Sequence, residues 1–396
     1  MTVARKIQKF MQQSSWIRKM FEEGTKLKEK YGANHVFDFS LGNPNLEPPS
    51  SFYQALTHVL EEKGFGHHMY MSNAGYHTTR DSVAHYLSQE HGLPITCDDV
   101  VMTCGAAGAL NVIFKAILDP GDEVVVPSPY FPEYCFYVDN HGGIARFAET
   151  RSDFTLDLEA IDQSITEKTK AVLINSPNNP TGQVYSEETL RELGRILTAA
   201  SRKQNHVIYL ISDEPYRKIV YDGTCVPSVF RTYKNSIVAT SYSKDLSLAG
   251  ERIGYLALHP ETQFKEELIS AMIWANRILG FVNAPALMQR VVKYIQGKHV
   301  DIELYRKKRD VLCQNLSEYG YDFIYPKGAF YIFPRSPIPD DLAFVKALQG
   351  ENILTVPGSG FGKPGHFRIA FCVDDSTIKG ALPGFKRVAQ RFGLGR

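Results

Sequence analysis

The chain has 396 residues, enough for two domains or for one large domain with an appendage. Hydrophobic residues make up 43% and charged residues 22%, the balance of a globular enzyme. The 44 basic and 43 acidic residues leave a formal charge of +1, which argues against a nucleic acid or a membrane surface held by charge.

The six cysteines (97, 104, 135, 225, 313 and 372) lie far apart and form no Cys-x-x-Cys pair. They read as reduced thiols of a cytoplasmic protein, not as a disulfide frame or a zinc site. No run of about 18 apolar residues marks a membrane span. The N-terminus, Met1 to Phe10, lacks the apolar core of a signal peptide.

Residues 1–32 place Phe10, Ile17, Met20 and Phe21 at helical spacing and predict a helical arm that packs on something else, such as a partner subunit. Val36–Leu41 reads as a strand that breaks into Gly42-Asn-Pro-Asn45, where a glycine lets a ligand approach the backbone. A helix over 51–63 follows, then an irregular segment from Gly64 to Gly75, then a helix over 78–89. The adjacent His67 and His68 have no partner at metal-ligand spacing.

Val100–Cys104 is strand-like. It runs through Gly105-Ala-Ala-Gly108 into a helix with Leu110, Ile113, Phe114, Ile117 and Leu118 on one face. Strand, small residues, helix: free N–H groups and a positive dipole end suit an anion. Neither a Gly-Lys-Ser/Thr nor a Gly-x-Gly-x-x-Gly spacing is present. Further apolar strands are predicted at Glu123–Pro127, leading to Tyr130 between prolines, and at Lys170–Pro177, leading to Asn178-Asn-Pro-Thr-Gly182. His206–Asp213, followed by Glu214 and Tyr216, and Ser236–Thr240, followed by Ser241-Tyr-Ser-Lys244 and Arg252, complete the series. Apolar strands alternating with helices imply a parallel sheet covered on both faces, whose ligands sit at the strands' C-terminal ends. Tyr130, Asn179, Asp213 and Lys244 all fall there. A lysine freed of water or set beside another cation becomes a nucleophile.

Beyond Leu258 a long helical region over about 261–318 carries a break at 280–285. Strands are then predicted at Phe323–Phe333, Ile353–Gly360 and Phe367–Cys372. Arg368 lies in the last, among apolar neighbours, and needs a carboxylate or phosphate partner, which a structural ion pair would also supply.

Taken in order, Gly42, Tyr70-x4-Gly75-x4-Arg80, Gly105-Ala-Ala, Tyr130, Asn179-Pro-Thr-Gly, Asp213-x-x-Tyr216, Ser241-x-Ser-Lys244-x7-Arg252-x-Gly254-Tyr255 and Arg368 resemble the fold-type I pyridoxal-phosphate (PLP) enzymes. Within these, they are similar to the class I/II aminotransferases of aspartate aminotransferase type. The resemblance spans nearly the whole chain. It implies an α/β fold: a large domain with a mostly parallel central sheet flanked by helices over 49–298, and a smaller α+β domain over 299–396. Residues 1–48 would form the arm and part of the small domain. The implied activity is transfer of an amino group between an L-amino acid and a 2-oxo acid by a ping-pong cycle.

The resemblance also implies roles. Lys244 would hold PLP and move the substrate proton. Asp213 would pair with the pyridine nitrogen, and Tyr216 and Asn179 would bond the ring oxygen. Tyr130 would stack on the ring. Gly105, Ala106, Ala107, Ser241, Ser243 and Arg252 would hold the phosphate, joined by Tyr70 of the neighbouring subunit in an obligate homodimer. Arg368, with Asn179 and Gly42, would clamp the substrate α-carboxylate. Alanine stands at 107, where some relatives acting on dicarboxylates have lysine. The reader of the substrate side chain therefore stays open among Arg277, the basic residues of the arm, and Tyr70, Tyr76 and Phe330 for an aromatic or apolar group. A carbon–sulfur β-lyase of the same fold is the nearest alternative. A PLP-binding domain of a transcription regulator is more distant, because the residues ahead of Val36 are few for a helix-turn-helix domain.

Overall fold

The structure is a computed structural model that describes residues 2–12 and 16–395. Its centre is a seven-stranded sheet of β2 (Val100–Thr103), β3 (Glu123–Ser128), β4 (Ile144–Glu149), β5 (Thr169–Asn175), β6 (Tyr209–Asp213), β7 (Ser236–Ser241) and β8 (Gly254–Leu258), after the short β1 (Phe37–Asp38). The strand order is β2-β8-β7-β6-β5-β3-β4, and β8 alone runs antiparallel to its neighbours.

Strand periodicity sends alternate side chains to opposite faces, and two apolar layers result. Met102, Val125, Val172, Ile174, Leu210 and Val238 pack with residues of the helices Ser50–Glu61, His77–His91, Glu187–Gln204 and Ala286–Val292. Val101, Val124, Val126, Leu173, Ile211 and Ile237 pack with the helices Gly105–Ile117 and Lys265–Ile278. Helix Glu187–Gln204 shows how such a layer is specified. Ser186 caps it by accepting from the Thr189 N–H at 3.1 Å, and Glu187 and Glu188 occupy the first turn beside the positive end of its dipole. Leu190, Leu193 and Leu197 recur at helical spacing on its buried side. Truncating fully buried Leu193 to alanine would cost roughly 2–5 kcal/mol.

A third apolar cluster joins Phe39 to Tyr305, Leu312, Phe344, Phe367 and Phe385. It is built on β9 (Tyr331–Ile332), β10 (Ile353–Leu354), β11 (Val356–Pro357) and β12 (Phe367–Ala370), with the helices Ile302–Glu318, Asp341–Gln349 and Asp375–Arg391. β1 pairs in parallel with β10, so Phe37 and Asp38 belong to this layer. β11-β12-β9 form an antiparallel sheet.

Two expectations are corrected in extent. The strand expected over 36–41 is only Phe37–Asp38, and that over 323–333 is only Tyr331–Ile332. In both, irregular loop backbone replaces the ladder. The edge strand β4, whose side chains are largely exposed, carried no apolar signal.

The predicted arm forms two helices, Arg5–Gln12 and Trp16–Tyr31, and Phe10 packs edge-on against Phe136 of its own chain. The side chains of Ile17, Met20 and Phe21 lie outside the described residues. Among the described residues no helix is long and apolar enough to cross a membrane, and no His/Cys/Asp/Glu group is arranged to hold a metal.

Candidate active site

The C-terminal ends of β5, β6 and β7, the N-terminus of helix Gly105–Ile117 and the loop after β1 enclose a cavity of about 340 Å³. Gly42, Ala106, Ala107, Asn179, Asp213, Tyr216, Ser241, Ser243, Lys244, Arg252 and Arg368 all line it. Parallel pairing explains the convergence: Asn175 sits opposite Asp213, and Asp213 opposite Ala239, so three strands end at one rim.

Asp213 is 6% exposed and projects from the last residue of β6. Its Oδ2 accepts the Tyr134 hydroxyl at 2.6 Å, while Oδ1 is buried without a partner. Burial raises its pKa to about 7, against the smaller downward pull of the Tyr134 bond. Lys244 donates from Nζ to the Gly42 carbonyl at 2.8 Å. Burial depresses its pKa to about 8, with Arg368 and Arg252 adding repulsion and Cys372 opposing them. A partly neutral amine therefore lies in the same cavity as an acid with one free oxygen.

Arg368 is 1% exposed, and its Cζ lies over the rings of Tyr331 and Phe361, 4.6 and 4.7 Å from their centres. It donates to Asn179 Oδ1 at 2.9 Å and to the Ser40 carbonyl at 2.6 Å. Its Nε is buried and unpartnered, and among the described residues no carboxylate pairs with it. Among the described residues the structural ion pair is therefore absent, and one edge of the guanidinium is left without a partner. Tyr216 meets Tyr331 hydroxyl to hydroxyl at 2.7 Å. A Cβ on Gly42 would lie 2.0 Å from Tyr331 Oη, so the glycine makes room for this tyrosine, not only for a ligand.

The opposite end of the cavity suits a phosphate. Helix Gly105–Ile117 has no side-chain cap at Cys104, which leaves the first-turn N–H groups of Ala106 and Ala107 open. Arg252 adopts a left-handed conformation (φ 50°), a strained state for a non-glycine residue. It is held by bonds to the Ala249 and Cys104 carbonyls. Gly254 lets three backbones meet: a Cβ there would lie 2.3 Å from the Thr240 carbonyl oxygen and 2.9 Å from Gly105 Cα. Gly105 itself supports the cradle from behind and is not in the lining.

Besides Gly105, two predicted residues are not brought to the lining of the cavity. Tyr130 stacks on Phe147 at 4.5 Å, and its N–H donates to the Phe361 carbonyl, so its ring turns away. Tyr134, one helical turn on, points inward instead. Tyr70 is 91% exposed. Of the candidates for reading the side chain, Arg277 is exposed beside Trp274 and lies outside the lining. Sequence reasoning passed over Phe131, Glu133, Tyr134, Tyr137, Asn175 and Tyr331. Asn175 ends β5 opposite Asp213 and donates to the Asp213 carbonyl at 2.8 Å, so strand-end position could have found it.

An uncapped helix start with an arginine, a buried carboxylate with a free oxygen and a depressed lysine fit a phosphorylated pyridine aldehyde, and the residues present agree with PLP.

The family profile described as aminotransferase class I and II matches residues 34–384. The aspartate/prephenate aminotransferase of Thermus thermophilus is 32% identical over 364 residues, covering 88% of this chain and 90% of that one. The aspartate aminotransferase of Bacillus subtilis is 30% identical, covering 92% and 94%. A crystal structure of an aminotransferase from Eubacterium rectale superposes with a TM-score of 0.96 at 39% identity, covering 99% and 100%. The Thermus thermophilus aspartate aminotransferase with maleate gives 0.87 at 28% identity, covering 98% and 100%.

Proposed function

This chain belongs to the class I and II aminotransferases and is a PLP-dependent transaminase, and on that premise we propose a role for each group in the cavity. PLP, when bound, supplies a ring that withdraws electrons and so stabilises negative charge at the substrate Cα. Lys244 holds the cofactor and moves the Cα proton, for which a pKa near 8 leaves a useful share of free amine at neutral pH. Asp213 accepts the pyridine N–H on its free Oδ1, and Tyr134 fixes that carboxylate from the other side. Tyr216 and Asn179 serve the ring oxygen. The N–H groups of Ala106 and Ala107, with Ser241, Ser243 and Arg252, take the phosphate. Arg368 offers its free Nε edge to the α-carboxylate, with Asn179 and Gly42 beside it.

The observation that carries this reading is the meeting, in one cavity, of an amine of depressed pKa with a buried carboxylate and a buried guanidinium that each keep an atom free. Lys244→Ala should abolish both amino transfer and the borohydride-reducible link to the cofactor. Retained turnover would end it.

We further propose a homodimer in which Tyr70 reaches the partner's phosphate. Its support is the exposure of Phe65 (98%) and Tyr70 (91%) on a segment whose base is tied down by Asn73, Asn276 and Asn283. The division into 1–48 with 299–396 against 49–298 is supported by an apolar cluster built mostly on the first set, which Phe154, Tyr216, Ile219 and Tyr221 join to the rest. A cytoplasmic location is supported by six free cysteines.

A further inference from the structure

Tyr331 is buried in the lining of the cavity, and none of the cofactor or substrate contacts above uses it. It lies on β9 opposite Ala370 of β12. Arg368, two residues before Ala370, projects to the same face of the sheet, which brings its Cζ within 4.6 Å of the Tyr331 ring centre. The tip of the ring is held as closely. Gly42 closes in on Tyr331 Oη, and the hydroxyl meets that of Tyr216 at 2.7 Å. Among the described residues each of these two hydroxyls has the other as its only hydrogen-bond partner.

A phenol donates one proton and accepts on its lone pairs. Burial raises the pKa of both phenols, with Arg368 pulling the other way at each, so both protons are present at neutral pH. One contact uses one proton and leaves the other for a ligand atom. The titratable and charged groups around the pair are Arg368 and Cys372 from the β12 stretch, Glu133 at the start of its helix, Asp213 at the end of β6, and Lys244, whose Nζ donates to the Gly42 carbonyl. None of them takes a hydrogen bond from either phenol.

We propose that Tyr331 is a positioning residue for the cofactor: it donates to Tyr216 Oη, which turns the Tyr216 proton to the ring oxygen and makes Tyr216 the stronger donor. This rests on the assignment of Tyr216 to the ring oxygen and of Lys244 to the cofactor above. Hydrogen bonds in a buried chain polarise one another, so the first bond strengthens the second. A donor at the ring oxygen stabilises negative charge there, and the link between Lys244 and the cofactor then gives up its proton at lower pH. Tyr331 touches neither group and acts through Tyr216 alone.

The test follows the cofactor absorbance of the PLP-loaded enzyme, without substrate, as pH is varied. Tyr331→Phe keeps the ring beneath Arg368 and removes only the hydroxyl, and it should raise the midpoint by roughly half to one pH unit. Tyr216→Phe removes the donor to a charged oxygen and should raise it by roughly one to two units. The double variant should match Tyr216→Phe, since Tyr331 then has nothing to act through. Should Tyr331→Phe fail to hold the cofactor, Gly42→Ala, which crowds the same hydroxyl, replaces it in the cycle. A midpoint that Tyr331→Phe leaves in place or lowers, or a double variant in which the two shifts add, would overturn the proposal and leave the role of Tyr216 and the transaminase assignment intact. A midpoint unmoved by Tyr216→Phe would end the ring-oxygen reading of that residue, and this proposal with it.

Discussion

Asp213 bears an electrostatic penalty in the cofactor-free protein, and asparagine in its place should reveal it. Burial lifts its pKa from 3.8 to about 7. Between those values the native carboxyl keeps its proton while the unfolded one has lost it. The native state then binds more protons, so stability falls as pH rises through the window and levels off above it. At about 1.36 kcal/mol per pH unit, the penalty is about 1.5 kcal/mol at pH 5 and about 4 kcal/mol above pH 7. Asparagine removes the charge yet keeps an acceptor for the Tyr134 hydroxyl. Without cofactor, Asp213→Asn should therefore be the more stable protein, by a margin that widens by roughly 2–3 kcal/mol between pH 5 and pH 8. For a chain of this size that is about 3 °C in Tm, within reach of scanning calorimetry on both proteins at the two pH values. Loaded with PLP, the same variant should lose roughly a hundredfold in kcat/KM, because the ring nitrogen loses a charged partner. A margin equal at both pH values would refute the picture of a desolvated carboxylate awaiting a cation.

Gly42→Ala should force Tyr331 away and break its 2.7 Å bond to Tyr216, costing about 1–3 kcal/mol and raising KM; an unchanged melt with full activity would show that the loop yields freely. Arg368→Lys should lower kcat/KM roughly 10–100-fold for every amino donor alike, since lysine cannot present a planar fork; a loss confined to one donor would mean that Arg368 reads a side chain instead. Tyr70→Phe should raise the PLP dissociation constant roughly tenfold without altering the sedimentation coefficient, and an unchanged constant would remove Tyr70 from the phosphate site.

Much of the cavity was legible because its residues sit where the sequence pattern changes. Asn179, Asp213 and Lys244 each follow an apolar run at the point where polar residues take over, and the seven-stranded sheet aligns those points. What was not legible depends on side-chain direction. Tyr130 and Tyr134 are four residues apart beyond the same strand, and nothing in their order tells which ring turns inward. The stacking of Tyr130 on Phe147 and the start of helix Glu133–Asp139 decide it. Glu133 was passed over because a glutamate at a helix start reads as a solvated end, and only its unpartnered Oε2 marks it out. Tyr331 became visible only through its contact with Gly42, from a part of the chain far away in sequence. The short strands of the smaller layer give too little periodicity to separate from loops.

The reversed direction of β8 brings its first residue, not its last, to the rim where the parallel strands finish. Ser241 and Gly254 face each other as the closing rung of a long hairpin, and Lys244 and Arg252 both lie within its tip. The spacing between amine and guanidinium is thereby set inside a single closed loop, whatever the second layer does. Arg368 rides on β12 in that other layer. Any swing of one layer against the other would open or shut the grip on substrate while the grip on cofactor stays as it was.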